Sequence, residues 1–547
     1  MKALTRTDSG YLLFNLSSHL IALAVMLPAT FLAGMTLPLF TTILLDRGYG
    51  EKSVGQVYAF NTLGAIAGTF IALFVLLPHW GIEDGMLIGG GLDVAVGIGF
   101  IALTTAGRDA GVLMRFRVAI ASLLYIVLLS ILFSPDPRQM ASGVFRDARA
   151  RMPDVNHVLA HYDGSTASVS VLHHTKDGVT SILTNGKPDA AASTVENGRQ
   201  TGDEDTMVLL AALPLSINPS AGKIAVIGFG SGITTHTLLA SPAVRRVDTI
   251  EIERFMYEGA RFFGGRSERA FNDPRSRVVF EDAKTYFHLN SQKYDIIISE
   301  PSNPWVSGIS SLYSEEFYRM ISRFLEPDGI FVQWIHVYES NTELLYSMLK
   351  ALASNFHDFH VYGTSDADVL IMASPCCELP LPGKGLFDLL SMKRDLDRIK
   401  VRSEADLLLR FFADKGMLEP GMAESPVPVN SDYFPYVDLH AAKARFLDQP
   451  MPGLNQLREY PVPVLVHFRP AVFRWSGPPT PTETRLGSRL AVDAETLSSE
   501  GGVPDWQSEP VTAVRPYIDL LRAYRQSCDA GIDDFSWEHA YLNVMMA

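Results

Sequence analysis

Four apolar runs between residues 223 and 300 each end in glycines or carboxylates. KIAVI runs into Gly228, Gly230 and Gly232; VDTIEIE closes on Glu251 and Glu253. SRVVF runs into Glu281, Asp282 and Ala283; YDIIIS runs into Glu300, Pro301, Ser302, Asn303, Pro304 and Trp305. Glycines allow a tight turn and close approach of a ligand to the backbone, and helix amides beyond such a turn can hold polar groups. A carboxylate about 20 residues past a glycine loop can accept both hydroxyls of a ribose. Glu251 stands there, with Glu253 as a second candidate or as a cap for the next helix. An acid at Asp282 can accept an adenine amino group. Glu300 can take a proton from an attacking group. The loop spacing is GxGxG; a dinucleotide fingerprint would need glycine where Ile233 stands, so an adenosyl ligand without pyrophosphate is favoured.

Strand, glycine loop, helix and strand in succession are the pattern of a parallel α/β sheet, whose strand carboxyl ends are where ligands bind. This Rossmann-like pattern is expected over residues 218–440. Ahead of it, the alternating stretches STASVSVLHH and GVTSILTNG predict a small β-rich domain over 151–217. Residues 441–547 read as a helical or irregular appendage. His173 and His174 read as surface residues on a strand, and Gln333 as a packing residue near the sheet edge.

The chain has 547 residues, 47% hydrophobic and 19% charged. Its mean hydropathy is above zero. The excess apolar content lies in residues 1–150, where four segments approach the roughly 20 residues that span a bilayer: Leu20–Leu45, Val57–Leu77, Met86–Thr104 and Phe116–Phe133. Gly64 and Gly68 form a GxxxG pair, and Asp93 is an acid within an apolar run. Basic residues flank both sides of these segments, so charge does not orient them. A net charge of −14 without a Lys/Arg run excludes nucleic acid as the expected partner and suits a cationic substrate. Three cysteines show neither a disulfide framework nor zinc spacing, and a reducing compartment fits the soluble part.

The motifs LTNGKPDA, VIGFGSGITT, VDTIEIE, DPRSRVVFEDAKTYF, YDIIISEPSNPWVSG, LYSEEFY and GIFVQW resemble those of the polyamine aminopropyltransferases, the spermidine and spermine synthases. GMTLPL and YAFNTLGAIAG are similar to the membrane part of bacterial proteins in which such a domain is fused to spans. The resemblance implies a multi-span α-helical membrane region, then a small β domain and a Rossmann-like transferase domain. It implies decarboxylated S-adenosylmethionine as donor and a di- or polyamine as acceptor, without a metal. Gly228, Gly230 and Gly232 would line the donor site, Glu251 the ribose, and Asp282 with Ala283 the adenine. The family's strand-end pattern is acid, two residues, aspartate, proline; here Glu300 is the longer acid and Asn303 an amide. The family's Tyr-His-Glu segment is absent after Asp203 and Glu204.

On this reading Glu300 is the base and Tyr313 orients the attacking amine. Asp203 and Asp205 hold the far ammonium. Asn303 and Trp305 face the acceptor, and Trp334 walls the aminopropyl arm. Three alternatives stay open: a methyltransferase using intact S-adenosylmethionine, a membrane-anchored polyamine- or nucleoside-binding protein, and a transporter with a regulatory soluble domain. The expected location is a bacterial inner membrane, with the transferase domain in the cytoplasm where such a donor is made. Assembly into a homo-oligomer is open.

Overall fold

The computed structural model describes residues 4–104, 136–144, 151–195, 198–365, 367–402, 406–407 and 410–448, with short pieces between 116 and 128. The described residues form two compact units, one within Met1–Ala190 and Glu253–Phe262, the other within Ala191–Ile252 and Phe263–Ala547.

In the first unit, helix Asp8–Asp46 carries Pro28 and Pro38. Helix Lys52–Ile71 continues through a π turn, Ala72–Leu76, into helix Leu77–Thr104. The expected second and third spans are therefore one helical run, broken at Gly81 with φ 76°. The break frees backbone amides, and Ile82 N–H donates to Asp163 Oδ2 at 3.1 Å. Among the described residues, two helical stretches, Asp8–Asp46 and Lys52–Leu76, are long and apolar enough to cross a membrane. Of the expected fourth span, Phe116–Phe133, the structure describes short helical pieces at 116–117, 120–125 and 127–128. A Cβ on Gly64 or Gly68 would meet nothing within 4 Å, so the GxxxG pair is not a close helix contact among the described residues.

The same unit holds a four-stranded antiparallel sheet in the order β1-β2-β3-β4: Asn156–Asp163, Ser168–His174, Val179–Thr184 and Lys187–Ser193. Asn185 and Gly186, both at positive φ, make the two-residue turn between β3 and β4. Alternate residues Val169 and Val171 are fully buried. They face helix Arg254–Ala260, where a Cβ on Gly259 would come within 2.8 Å of Ile182 Cδ1. The β-rich reading of this region holds only to β4. Gly202–Ile217 is a helix of the second unit, because its whole middle is buried apolar surface.

The second unit is built on an eight-stranded sheet in the order β12-β10-β11-β9-β8-β5-β6-β7. Strands β5 (Lys223–Ile227), β6 (Arg246–Glu251), β7 (Ser276–Phe280), β8 (Tyr294–Ser299) and β9 (Leu325–His336) are parallel. Strands β10 (Asp358–Gly363), β11 (Asp368–Ser374) and β12 (Phe411–Asp414) extend the sheet antiparallel. Ile296, Ile297 and Ile298 are fully buried in β8, as expected for a strand covered on both faces. From β5 the chain goes to β6 and β7 on one side and then to β8 on the other. The point where strand order reverses thus lies between β5 and β8, and in such sheets a ligand crevice opens there.

Helix Tyr436–Leu447 runs across the expected boundary at residue 440, burying Val437, Ala441, Ala444 and Phe446 at helical spacing. The remainder of the expected appendage lies outside the described residues, as does Cys528. Cys376 and Cys377 are joined to each other by a disulfide. That bond joins adjacent residues, so it closes no long loop of the chain and makes no framework.

Candidate active site

The switch point puts the glycine loop and Glu300 side by side. Gly228, Gly230 and Gly232 all have positive φ. Glu300 N–H donates to Ile227 O at 2.9 Å, so β5 and β8 end level. A Cβ on Gly228 would lie 2.4 Å from the Glu300 carbonyl oxygen. Gly228→Ala should therefore displace both the loop and Glu300, lowering donor affinity by at least about tenfold, measured by calorimetry; an unchanged affinity would contradict this packing.

Glu251, at the end of β6 and 7% exposed, accepts from Phe229 N–H at 2.8 Å through Oε2. That bond fixes the carboxylate beside the glycine loop. Glu253 has a different job. It lies beyond β6 and caps helix Arg254–Ala260, accepting from Phe255 N–H at 3.1 Å and from the Thr166 hydroxyl at 2.7 Å. At the end of β7, Asp282 caps helix Ala283–Leu289, accepting from Thr285 N–H at 2.9 Å. Ala283 is buried beside it.

Glu300 is partly exposed, and its Oε2 accepts from the Thr234 hydroxyl at 2.8 Å. Burial pushes its carboxyl up to about 8; Asp368 and Asp203 add repulsion, while the Thr234 bond pulls the other way. Asp203 is in the first turn of helix Gly202–Ile217, which a Thr201–Glu204 capping box starts. Asp368 opens β11 and is 5% exposed, accepting from the Thr206 hydroxyl at 2.9 Å and the Ser365 hydroxyl at 3.2 Å. Asp205 accepts instead from Gln200 Nε2. Glu204 is fully buried between Arg266 at 3.0 Å and Arg398 at 2.9 Å, so it is a structural ion.

In the loop after β8, Asn303 is fully buried, and its Nδ2 donates to the Tyr338 hydroxyl at 3.2 Å. Trp305 stands edge-on to His336, centroids 4.5 Å apart, and 6.1 Å from Tyr338. Trp334 lies 5.8 Å from His336. Tyr313 is fully buried in the core; its hydroxyl donates to Trp334 O at 3.4 Å, and burial raises its ionisation far above that of a free phenol. In this conformation it anchors β9 rather than facing an amine. Gln333 is fully buried and donates to Ser299 O and Trp334 O, as its packing reading anticipated. Among the described residues no group of three or more His, Cys, Asp or Glu could hold a metal.

Sequence reasoning did not find Asp368, Tyr338 or Thr234. Asp368 and Tyr338 come from the antiparallel side of the sheet and the loop after β9, which no spacing links to β8. Thr234 had a signal, since it immediately follows the glycine loop.

A mixed, Rossmann-like sheet with a glycine loop after β5 and acids after β6, β7 and β8 is a fold that gathers ligand-binding groups at its strand carboxyl ends. Residues 206–365 match the spermine/spermidine synthase domain family, so the resemblance read from the sequence is shown for that stretch. The chain is similar to polyamine aminopropyltransferase 2 of Streptomyces coelicolor, 29% identical over 54% of this chain and 52% of that one. It is also similar to polyamine aminopropyltransferase 1 of the same organism, 26% identical over 56% of each. The chain thus spans about half the length of these curated relatives. The solved structure of a probable spermidine synthase from Corynebacterium glutamicum matches at 16% identity over 50% of this chain and 97% of that one, TM-score 0.37.

Proposed function

We propose that this chain is a membrane-anchored polyamine aminopropyltransferase, moving an aminopropyl group from decarboxylated S-adenosylmethionine to a di- or polyamine. The observation that carries the reading is Glu300 at the end of β8, level with the glycine loop after β5, its carboxyl raised by burial and by the acids Asp368 on β11 and Asp203 on the helix Gly202–Ile217. Such a field attracts amines. It repels the amino-acid carboxylate of an intact donor, which decarboxylation removes, and so disfavours methyl transfer.

Gly228, Gly230, Gly232 and Glu251 would hold the ribose side of the donor, and Asp282 with Ala283 the adenine. The sulfonium carries the leaving-group activation. Free amines are protonated near neutrality, with a pKa of roughly 10 as for lysine. Glu300 takes the proton from the attacking nitrogen. The new C–N bond forms as the C–S bond breaks, its electron pair passing to sulfur and leaving methylthioadenosine. Asp203 holds the acceptor's far ammonium. Asn303 and Trp305 border the attacking end. The two apolar helices anchor the chain in a bacterial inner membrane with this domain in the cytoplasm, and the family reading gives no part to nucleic acid.

Calorimetric titration tests the donor. The decarboxylated form should bind at least about tenfold more tightly than the intact form, since repulsion from a nearby carboxylate is worth about 1.4 kcal/mol or more. Asp368→Asn should narrow the gap. Equal affinities, or a preference for the intact donor, would overturn this assignment.

A further inference from the structure

We propose that Arg445 is a positioning residue that clamps Trp305, and through it the 301–308 loop, beside Glu300. The inference rests on the reading of this site as an aminopropyl-transfer centre and adds a residue well outside the matched domain.

Arg445 sits near the end of helix Tyr436–Leu447. That helix is firmly seated. Its Val437, Ala441, Ala444 and Phe446 are buried, Val437 N–H donates to Asn430 Oδ1 at 3.1 Å, and the Tyr436 hydroxyl donates to Glu343 at 2.9 Å. Asn430 is itself fully buried, donating to Ser310 O and Tyr313 O. From this base the guanidinium carbon of Arg445 stands 5.3 Å from the centre of the Trp305 ring. Its Nε is 3.5 Å from Glu339 Oε2, with both side chains only about a fifth exposed. Glu339 has φ 48°, a conformation that a residue with a side chain adopts only when its surroundings hold it there.

One cation therefore touches the loop after β8 through Trp305 and the loop after β9 through Glu339. Those loops also carry Asn303 and Tyr338, which bond to each other, and His336, the last residue of β9, packs on Trp305. A guanidinium serves both contacts because its plane can lie over an indole while its edge meets a carboxylate. Reaction geometry is sensitive to such bracing: displacing a reacting group by about 1 Å can cost about 10²-fold in rate.

The test uses the full chain and its Arg445→Ala and Arg445→Lys variants. Arg445→Ala should raise the acceptor KM about tenfold and leave donor affinity within about twofold, because Arg445 braces the loops after β8 and β9 through Trp305 and Glu339. Acrylamide quenching of Trp305, obtained by difference from Trp305→Phe, should rise at least about twofold as the ring loses its cover. Arg445→Lys should lie between, keeping the charge but not the planar stack. If Arg445→Ala fails to fold, Glu339→Gln should show the same two changes in smaller measure. Unchanged acceptor KM and quenching, or donor and acceptor affinities falling together, would overturn the clamp. If the parent protein shows no turnover, the functional reading fails on its own, and the quenching comparison still decides whether Arg445 holds Trp305.

Discussion

Glu300→Gln is expected to lower turnover by about 10²–10⁴-fold while donor affinity stays within about twofold of the parent. The amide keeps the shape and can still bond Thr234, but it cannot accept the amine's proton. The parent's rate should rise with pH through about 8, because the base works only when ionised. Asp368→Asn should move that inflection down by removing one repelling charge. Stability follows the opposite course. The native carboxyl is raised from 4.5 to about 8, so between those values the folded state binds more protons than the unfolded one. Stability from this group is therefore lost as pH rises through that window, and Glu300→Gln should remove that loss. Parallel pH–stability curves for parent and variant would show that the folded state does not raise this carboxyl.

Glu204→Ala should destabilise the second unit by about 3–5 kcal/mol, a large share of the stability of a folded domain. Glu204 is fully buried and pairs with both Arg266 and Arg398. Removing it leaves two largely buried guanidinium groups facing each other, and burial together with Arg398 already disfavours the charge on Arg266. The same substitution removes half of the capping box that starts the helix carrying Asp203. Urea unfolding of the parent and variant, followed by tryptophan fluorescence, measures the difference. A change below about 1 kcal/mol would show that the arginines find other partners.

The sheet and glycine loop were legible in the sequence because their signals are local. KIAVI followed by three glycines, and three isoleucines followed by Glu300, each place a strand end without reference to the rest of the chain. Glu253 was readable as a ribose candidate or as a helix cap, and the cap is what forms, because β6 ends at Glu251 and the second acid starts the next helix. Asp205 looked equivalent to Asp203, yet the helical turn separates them and Gln200 takes Asp205. The boundary at 440 cut through a helix because Ala441 and Ala444 are small, so its buried face is weakly apolar in sequence. Asp368 and Arg445 reach the site only through sheet order and helix docking, which are tertiary facts.

The central claim is the chemistry at Glu300, and product analysis tests it most directly. Purified protein would be incubated with decarboxylated S-adenosylmethionine and a panel of di- and polyamines, beside Glu300→Gln. The account predicts methylthioadenosine and an aminopropylated amine in equal amounts from the parent, and almost none from the variant. Methylthioadenosine formed equally by both would remove Glu300 from the mechanism. S-adenosylhomocysteine from the intact donor, or donor binding without any product, would contradict aminopropyl transfer itself.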